Sequence, residues 1–347
     1  MTTRREFLTQ MAAAGVLAAA SPLAEAVPTV AMVQTVLGPL AASKLGFTLT
    51  HEHLGGWTPE LQAKWPKGSG DRAGYVKKAV EKLKAIRDAG VDTVVDLTTY
   101  DVGRDVRFLQ EVSLQSGIHV VACTGQHLFP PESLLSQSLE EFVEVFRKEI
   151  EAGIDGTDVR AGVIKIATRS NEISAFEDKA LRAAARVSKA TGIAIQTHTH
   201  ARLRAGEKQA DIFESEGVSA ARVSLGHSDD SGELDYLIGL CKRGYTLDMN
   251  HMNYGLAPDA VLPWRARADN IKRLIDAGFT QQLLFSQDSA FSSSLLPLDA
   301  RDPREKRNPD GMLFNIRKLI PYLLEIGVAR SAIRTITVEN PQRLLGR

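Results

Sequence analysis

The sequence predicts an α/β fold of one kind, a (β/α)8 TIM barrel, on three observations. Eight short runs rich in β-branched and apolar residues recur along the chain, stretches of helical periodicity separate them, and no linker or composition shift divides the series. Strands alternating with helices make a parallel sheet, and eight such units in about 320 residues fit one closed barrel with a few long loops. A doubly wound open sheet is the competing architecture, but no Gly-rich phosphate fingerprint follows the first strand.

The chain opens on a different kind of sequence. Residues 1–26 carry Arg4 and Arg5, a small and apolar stretch over residues 11–20, and Ala24-Glu25-Ala26, the pattern of a cleavable export signal. Thr3-Arg4-Arg5-Glu6-Phe7-Leu8 resembles the twin-arginine signal, read by a receptor for proteins exported already folded. The expected mature protein is a single domain over residues 27–347, periplasmic or secreted. No later apolar run reaches the roughly 18 to 20 residues that span a bilayer, so membrane insertion of the mature protein is not expected.

The candidate strands follow at residues 47–51, 91–97, 118–124, 161–167, 193–198, 222–227, 244–250 and 282–288. Between them, Val76, Ala79, Val80, Leu83 and Ile86 have the spacing of a helix with one apolar face, as do Leu139, Phe142, Val143, Phe146 and Ile150. Ser138 and Glu141 form a capping box at the start of the second. Lys77, Lys78, Lys82 and Lys84 fall on the wet side of the first. Residues 289–311, long, polar and rich in Asp, Arg and Pro, read as a loop at the barrel mouth.

Composition narrows the functional classes. The 347 residues are 44% hydrophobic and 24% charged, with 42 basic and 42 acidic side chains, so the chain is globular and carries no net field to gather nucleic acid. Cys123 and Cys241 cannot build a disulfide framework and read as buried, unpaired thiols.

In a barrel of this kind the chemistry lies at the C-terminal ends of the strands. His51 and His53 close strand one, Lys165 interrupts strand four, His198 ends strand five, His227 ends strand six and Asp288 ends strand eight. Residues i and i+2 of a strand point to the same side, so His51 and His53 can converge on one ion, and imidazole and carboxylate suit zinc and similar divalent cations. Alternation turns Ile164 and Ile166 towards the helices and Lys165 into the barrel, where an ammonium is costly unless paired or neutralised. Pairing with Asp288 or Asp96 is the simpler account. His200, beyond a strand end, and His119, at the opposite rim, read as solvated and structural.

The order His-x-His, Lys, His, His, Asp resembles the metal signature of the amidohydrolase superfamily. The surrounding words resemble the phosphotriesterases: Gly46-Phe47-Thr48-Leu49-Thr50-His51-Glu52-His53, Ala161-Gly162-Val163-Ile164-Lys165, Thr197-His198-Thr199, Gly226-His227-Ser228-Asp229-Asp230 and Asn308-Pro309-Asp310-Gly311-Met312, in a likeness running from about Val36 to Leu345. The resemblance implies two divalent metal ions, zinc first, with cobalt, manganese or iron suited to the same ligands. By it, His51, His53 and Asp288 hold one ion, His198 and His227 the other, and a CO2-derived carbamate on Lys165 bridges them. Asp288 then accepts a proton that leaves through His251 to Asp230. It further implies a small neutral ester as substrate, a phosphotriester before a lactone, carboxylic ester or N-acyl amide, and is compatible with a homodimer. A barrel kept only as a binding scaffold is the reading from another class, and the full ligand set speaks against it.

Gln126, His127, Tyr254 and Phe291 are the pocket candidates. His127 aligns with a family aromatic that packs on the leaving group, and Asn250 stands where the family motif has an aspartate. The arginine that lactonases place at His251 is absent, as is their tyrosine near strand three, which favours aryl phosphotriesters or aryl esters.

Overall fold

In the computed structural model, which describes residues 30–55, 64, 72–290 and 306–347, all eight anticipated strands form. Two further short strands precede them, β1 (Met32–Thr35) and β2 (Gly38–Ala41), paired antiparallel as a hairpin. The eight are β3 (Thr48–Glu52), β4 (Thr93–Asp96), β5 (His119–Gln126), β6 (Val163–Ala167), β7 (Ala194–His198), β8 (Val223–Leu225), β9 (Thr246–Met249) and β10 (Leu283–Phe285). Each pairs in parallel with the next in chain order. The seam between β10 and β3 has no regular ladder. It is closed by a single bridge between His53 and Ala290, by Asp288 N–H donating to the His51 carbonyl at 2.9 Å, and by His53 N–H donating to the Ser289 carbonyl at 3.1 Å. The eight parallel strands thus form a nearly closed TIM barrel.

One helix follows each of β3 to β9: α1 (Arg72–Asp88), α2 (Val106–Ser116), α3 (Leu139–Glu151), α4 (Ala175–Thr191), α5 (Ala205–Glu216), α6 (Leu234–Lys242) and α7 (Trp264–Asp276). Helix α1 buries Val76, Ala79, Val80, Leu83 and Ile86, and leaves Lys77, Lys78 and Lys84 exposed. The predicted capping box holds at α3, where the Ser138 hydroxyl accepts from Glu141 N–H at 3.2 Å and the Glu141 carboxylate accepts from Ser138 N–H at 2.7 Å. Ser174 and Glu177 repeat the device at α4. Between them these caps satisfy backbone donors that would otherwise be orphaned at the start of each helix.

Two apolar cores result. The larger lies between the strands and the helix ring and includes Ile164 and Ile166. The smaller fills the barrel and runs from Val33, Ala42 and Leu45 through Val95, Val121, Cys123, Val163 and Leu284 to Leu344 and Leu345. Both cysteines are buried and unpaired. The hairpin seals the bottom of the barrel: Val36 N–H donates to the Val120 carbonyl at 2.8 Å, and Gly162, just before β6, lies so close that a Cβ there would stand 2.4 Å from the Gln34 carbonyl oxygen. Here Met32 and Arg347 also exchange two backbone hydrogen bonds, at 2.9 and 3.1 Å. Apolar side chains dominate the lower interior, where Thr48 and Thr93 donate to the Leu45 carbonyl, and the histidines lie at the upper ends of their strands.

Residues 1–26, Phe291 and most of the anticipated mouth loop (291–305) lie outside the described residues. Among the described residues no helix is long and apolar enough to cross a membrane.

Candidate metal centre

The strand ends deliver their polar residues to one place. His51, fully buried on β3, sets its Nε2 2.6 Å from Lys165 Nζ and 3.7 Å from Asp288 Oδ1. His53 Nε2 is 3.2 Å from the same Asp288 oxygen. His198 Nδ1 and His227 Nε2 stand 2.7 Å apart, and the His227 ring centroid is 5.0 Å from that of His51. One donor atom each from His51, His53 and Asp288 lies within 4.8 Å of the others, and the same holds for His227, His251 and Asp288.

Backbone geometry helps to aim these groups. His227 and Asp288 both adopt left-handed conformations, with φ of 58° and 47°, an arrangement that non-glycine residues keep where the surroundings enforce it. Before His227, Gly226 lets β8 approach β7, since a Cβ there would lie 2.1 Å from the Thr197 carbonyl oxygen and 3.1 Å from the His51 ring.

The electrostatics favour lone pairs. Burial, reinforced by the Lys165 charge, holds His51 well below the usual imidazole range. Burial and a neighbouring histidine do the same for His198 and for His227. Burial also pulls the Lys165 amine down to about 8, against the opposing charge of Asp288. Among the described residues no carboxylate comes within the 4.0 Å of an ion pair with Lys165. Asp96, one of the two partners anticipated for the lysine, instead accepts from Leu54 N–H at 2.6 Å and from the Thr98 hydroxyl at 2.8 Å. The neutral imidazoles of His51, His198 and His227, beside the Asp288 carboxylate, fit divalent cations.

Polar groups behind the nest hold the rings in place. His227 Nδ1 lies 2.9 Å from Asn250 Oδ1, so the asparagine keeps an acceptor where the family motif has a carboxylate. His53 Nδ1 is 3.2 Å from the Thr98 hydroxyl, and Asp248 Oδ2 stands 3.6 Å from His51 Nδ1 while accepting from Thr50 at 3.2 Å. His251 bridges Asp288 Oδ2 at 2.9 Å and Asp230 Oδ2 at 2.8 Å. Burial alone would lower the His251 pKa, but Asp230 and Asp288 outweigh it and push it up to about 10. Arg267 closes the chain, donating to Asp230 at 2.5 Å and to the Asp229 carbonyl at 3.0 Å. Asp248, Thr98 and Arg267 were not singled out from sequence. Inward alternation two residues before Asn250 was the only signal for Asp248, and Arg267 gave none.

Tyr254 stacks on His251 at 3.9 Å, with its hydroxyl 3.4 Å from Asp288 Oδ2. His127 stands across the nest, its ring centroid 5.4 Å from His198 and 6.4 Å from His53. The Gln126 amide turns away from the nest, donating to Asp101 at 2.7 Å and to the His127 carbonyl at 3.0 Å.

A sequence model of the phosphotriesterase family matches residues 31–345. The chain belongs to the phosphotriesterase family. A phosphotriesterase homology protein of Mycobacterium tuberculosis is 32% identical over 326 residues, covering 91% of this chain and 98% of the relative. An aryldialkylphosphatase of Saccharolobus solfataricus is 31% identical over 311 residues, covering 88% and 96%. An N-acetyltaurine hydrolase of Danio rerio is 25% identical over 354 residues, covering 90% and 97%. Family members use a binuclear metal centre, their common role is hydrolysis, and this chain carries His and Asp groups able to hold metal.

Proposed function

We propose that this phosphotriesterase-family hydrolase is a binuclear enzyme acting on phosphotriesters or related aryl esters, exported by the signal in residues 1–26. The observation that carries the reading is the convergence of His51, His53, Lys165, His198, His227 and Asp288 on one rim, with His251 and Asp230 aligned behind Asp288. The first three positions named by resemblance as one ligand group, His51, His53 and Asp288, have donor atoms mutually within 4.8 Å. His198 and His227 would hold the second ion, with Lys165, carboxylated on Nζ, as a ligand to both.

When bound, the ions lower the pKa of water and polarise a phosphoryl or carbonyl oxygen. The remaining work belongs to the chain. Asp288 would orient the attacking water and take its proton. With the positive charge of the ions offsetting the carboxylates that raise its pKa, His251 would be neutral, accept that proton at Nε2 and release the one on Nδ1 to Asp230, which Arg267 keeps aligned. His127 and Tyr254 flank the space in which substrate sits.

One observation favours a second reading. A 25%-identical relative, matched over 90% of this chain, is named for hydrolysis of the amide N-acetyltaurine. A comparison of kcat/KM at saturating metal for an aryl phosphotriester, an aryl ester, an acyl-homoserine lactone and an N-acyl amide decides between them. Triester or aryl ester turnover is expected to lead. A lactone or amide ahead by tenfold, about 1.4 kcal/mol in transition-state binding, overturns the substrate assignment.

A further inference from the structure

The residue between the two histidines of strand β3 has no place in the chemistry described so far. Alternation sends Glu52 away from the metal nest, into the seam where β10 meets β3 without a ladder. It is fully buried there. Its carboxylate collects three donors from a single short stretch: the Ser286 hydroxyl and Gln287 N–H meet Oε1 at 2.7 and 2.9 Å, and Ser289 N–H meets Oε2 at 2.9 Å. The same Ser286 oxygen accepts from His51 N–H at 2.8 Å, and Asn315 caps the Ser286 carbonyl at 2.8 Å.

Gln287 and Ser289 are the two neighbours of Asp288, whose own N–H bonds the His51 carbonyl at 2.9 Å. Clamping the amides on both sides fixes the peptide planes that flank Asp288, and with them its left-handed φ of 47°. Residues in that conformation persist only where the surroundings over-determine them. Without the clamp, relaxation to an ordinary extended φ would swing the Asp288 carboxylate away from His53 and His251. The two oxygens of a carboxylate serve both amides at once. An amide cannot, because its nitrogen would face the Ser289 N–H donor to donor.

We infer that Glu52 is a positioning residue for Asp288, holding it in register with both the metal ligands and His251 through the backbone on either side. The inference rests on the reading of Asp288 as metal ligand and proton acceptor. Second-layer contacts of this type commonly change metal affinity or activity by about 10- to 100-fold.

The test compares metal-loaded wild type, Glu52→Gln and Ser286→Ala for metal content, loss of metal to excess chelator, kcat and KM on the best substrate, and thermal unfolding. Glu52→Gln is expected to unfold cooperatively, to lose about tenfold in kcat with KM within about twofold, and to release metal about tenfold faster. Ser286→Ala removes one donor of the three together with the acceptor of His51 N–H, so both effects are expected to recur at about threefold or more, and a folded variant that matches wild type in kcat and metal release still overturns the inference if the glutamine variant does not fold. Two results overturn the inference: kcat and metal release in the folded variants matching wild type, or a loss of activity fully accounted for by fewer folded chains. Wild type holding no metal would instead remove the reading of Asp288 on which the inference stands.

Discussion

Replacing Lys165 with arginine is expected to lower kcat/KM by about 10^3-fold or more and to bring metal content below two ions per chain, with the fold intact. Lys165 is wholly buried in the middle of β6, between Gly125 on β5 and Gln196 on β7. A loss of 10^3 corresponds to about 4 kcal/mol of transition-state stabilisation. Arginine keeps the positive charge on a slightly longer side chain, so it would preserve a purely electrostatic role. It cannot accept CO2, because the guanidinium stays protonated. Lys165→Ala is expected to be equally inactive. Near-normal turnover by the arginine variant, measured beside its metal content and circular dichroism, would reduce Lys165 to a buried cation with no part in holding metal.

The second large effect concerns metal removal. Wild-type protein is expected to carry about two divalent ions per chain, to lose all activity on exhaustive chelation, and to recover it when metal is returned with dissolved CO2. A ligand that binds only the folded state, present at about 1,000 times its Kd, stabilises that state by about 4 kcal/mol. The chelated protein should therefore unfold several degrees lower. Recovery also has a pH dependence. Burial holds the Lys165 amine at about 8 in the metal-free nest, and only the neutral amine attacks CO2. At fixed dissolved CO2 the rate of recovery should rise as pH climbs to about 8 and level off above it. Full activity with one ion or none per chain, or recovery indifferent to CO2, would contradict the bridged centre.

Much of this molecule could be read before it was seen, for a physical reason. A closed parallel barrel buries both faces of each strand, so its strands stand out as apolar runs, and a polar residue inside such a run, as at Lys165, calls for an explanation. The Ser-x-x-Glu signal was equally readable at Ser174 as at Ser138. The β1–β2 hairpin escaped because it is only partly buried: β1 reads Met-Val-Gln-Thr and β2 Gly-Pro-Leu-Ala, neither of them the apolar run of a strand buried on both faces. Glu52 and Asp248 escaped for another reason: the groups they serve lie far along the chain, and neither periodicity nor spacing records a hydrogen bond across the barrel seam. Gln126 stood at a strand end like the ligands, yet its amide was claimed by Asp101, which no local pattern announces.

The paired backbone of Met32 and Arg347 makes the fold nearly a ring. Met32, which opens the first strand, and Arg347 lie side by side at the bottom of the barrel, on the face opposite the metal nest. A short glycine-serine linker could join them, which makes the chain a candidate for circular permutation with new ends in an exposed helix-side loop. For the same reason, a surface tether joined at Arg347 would leave from the rear, so immobilised protein would present its open mouth to the solution.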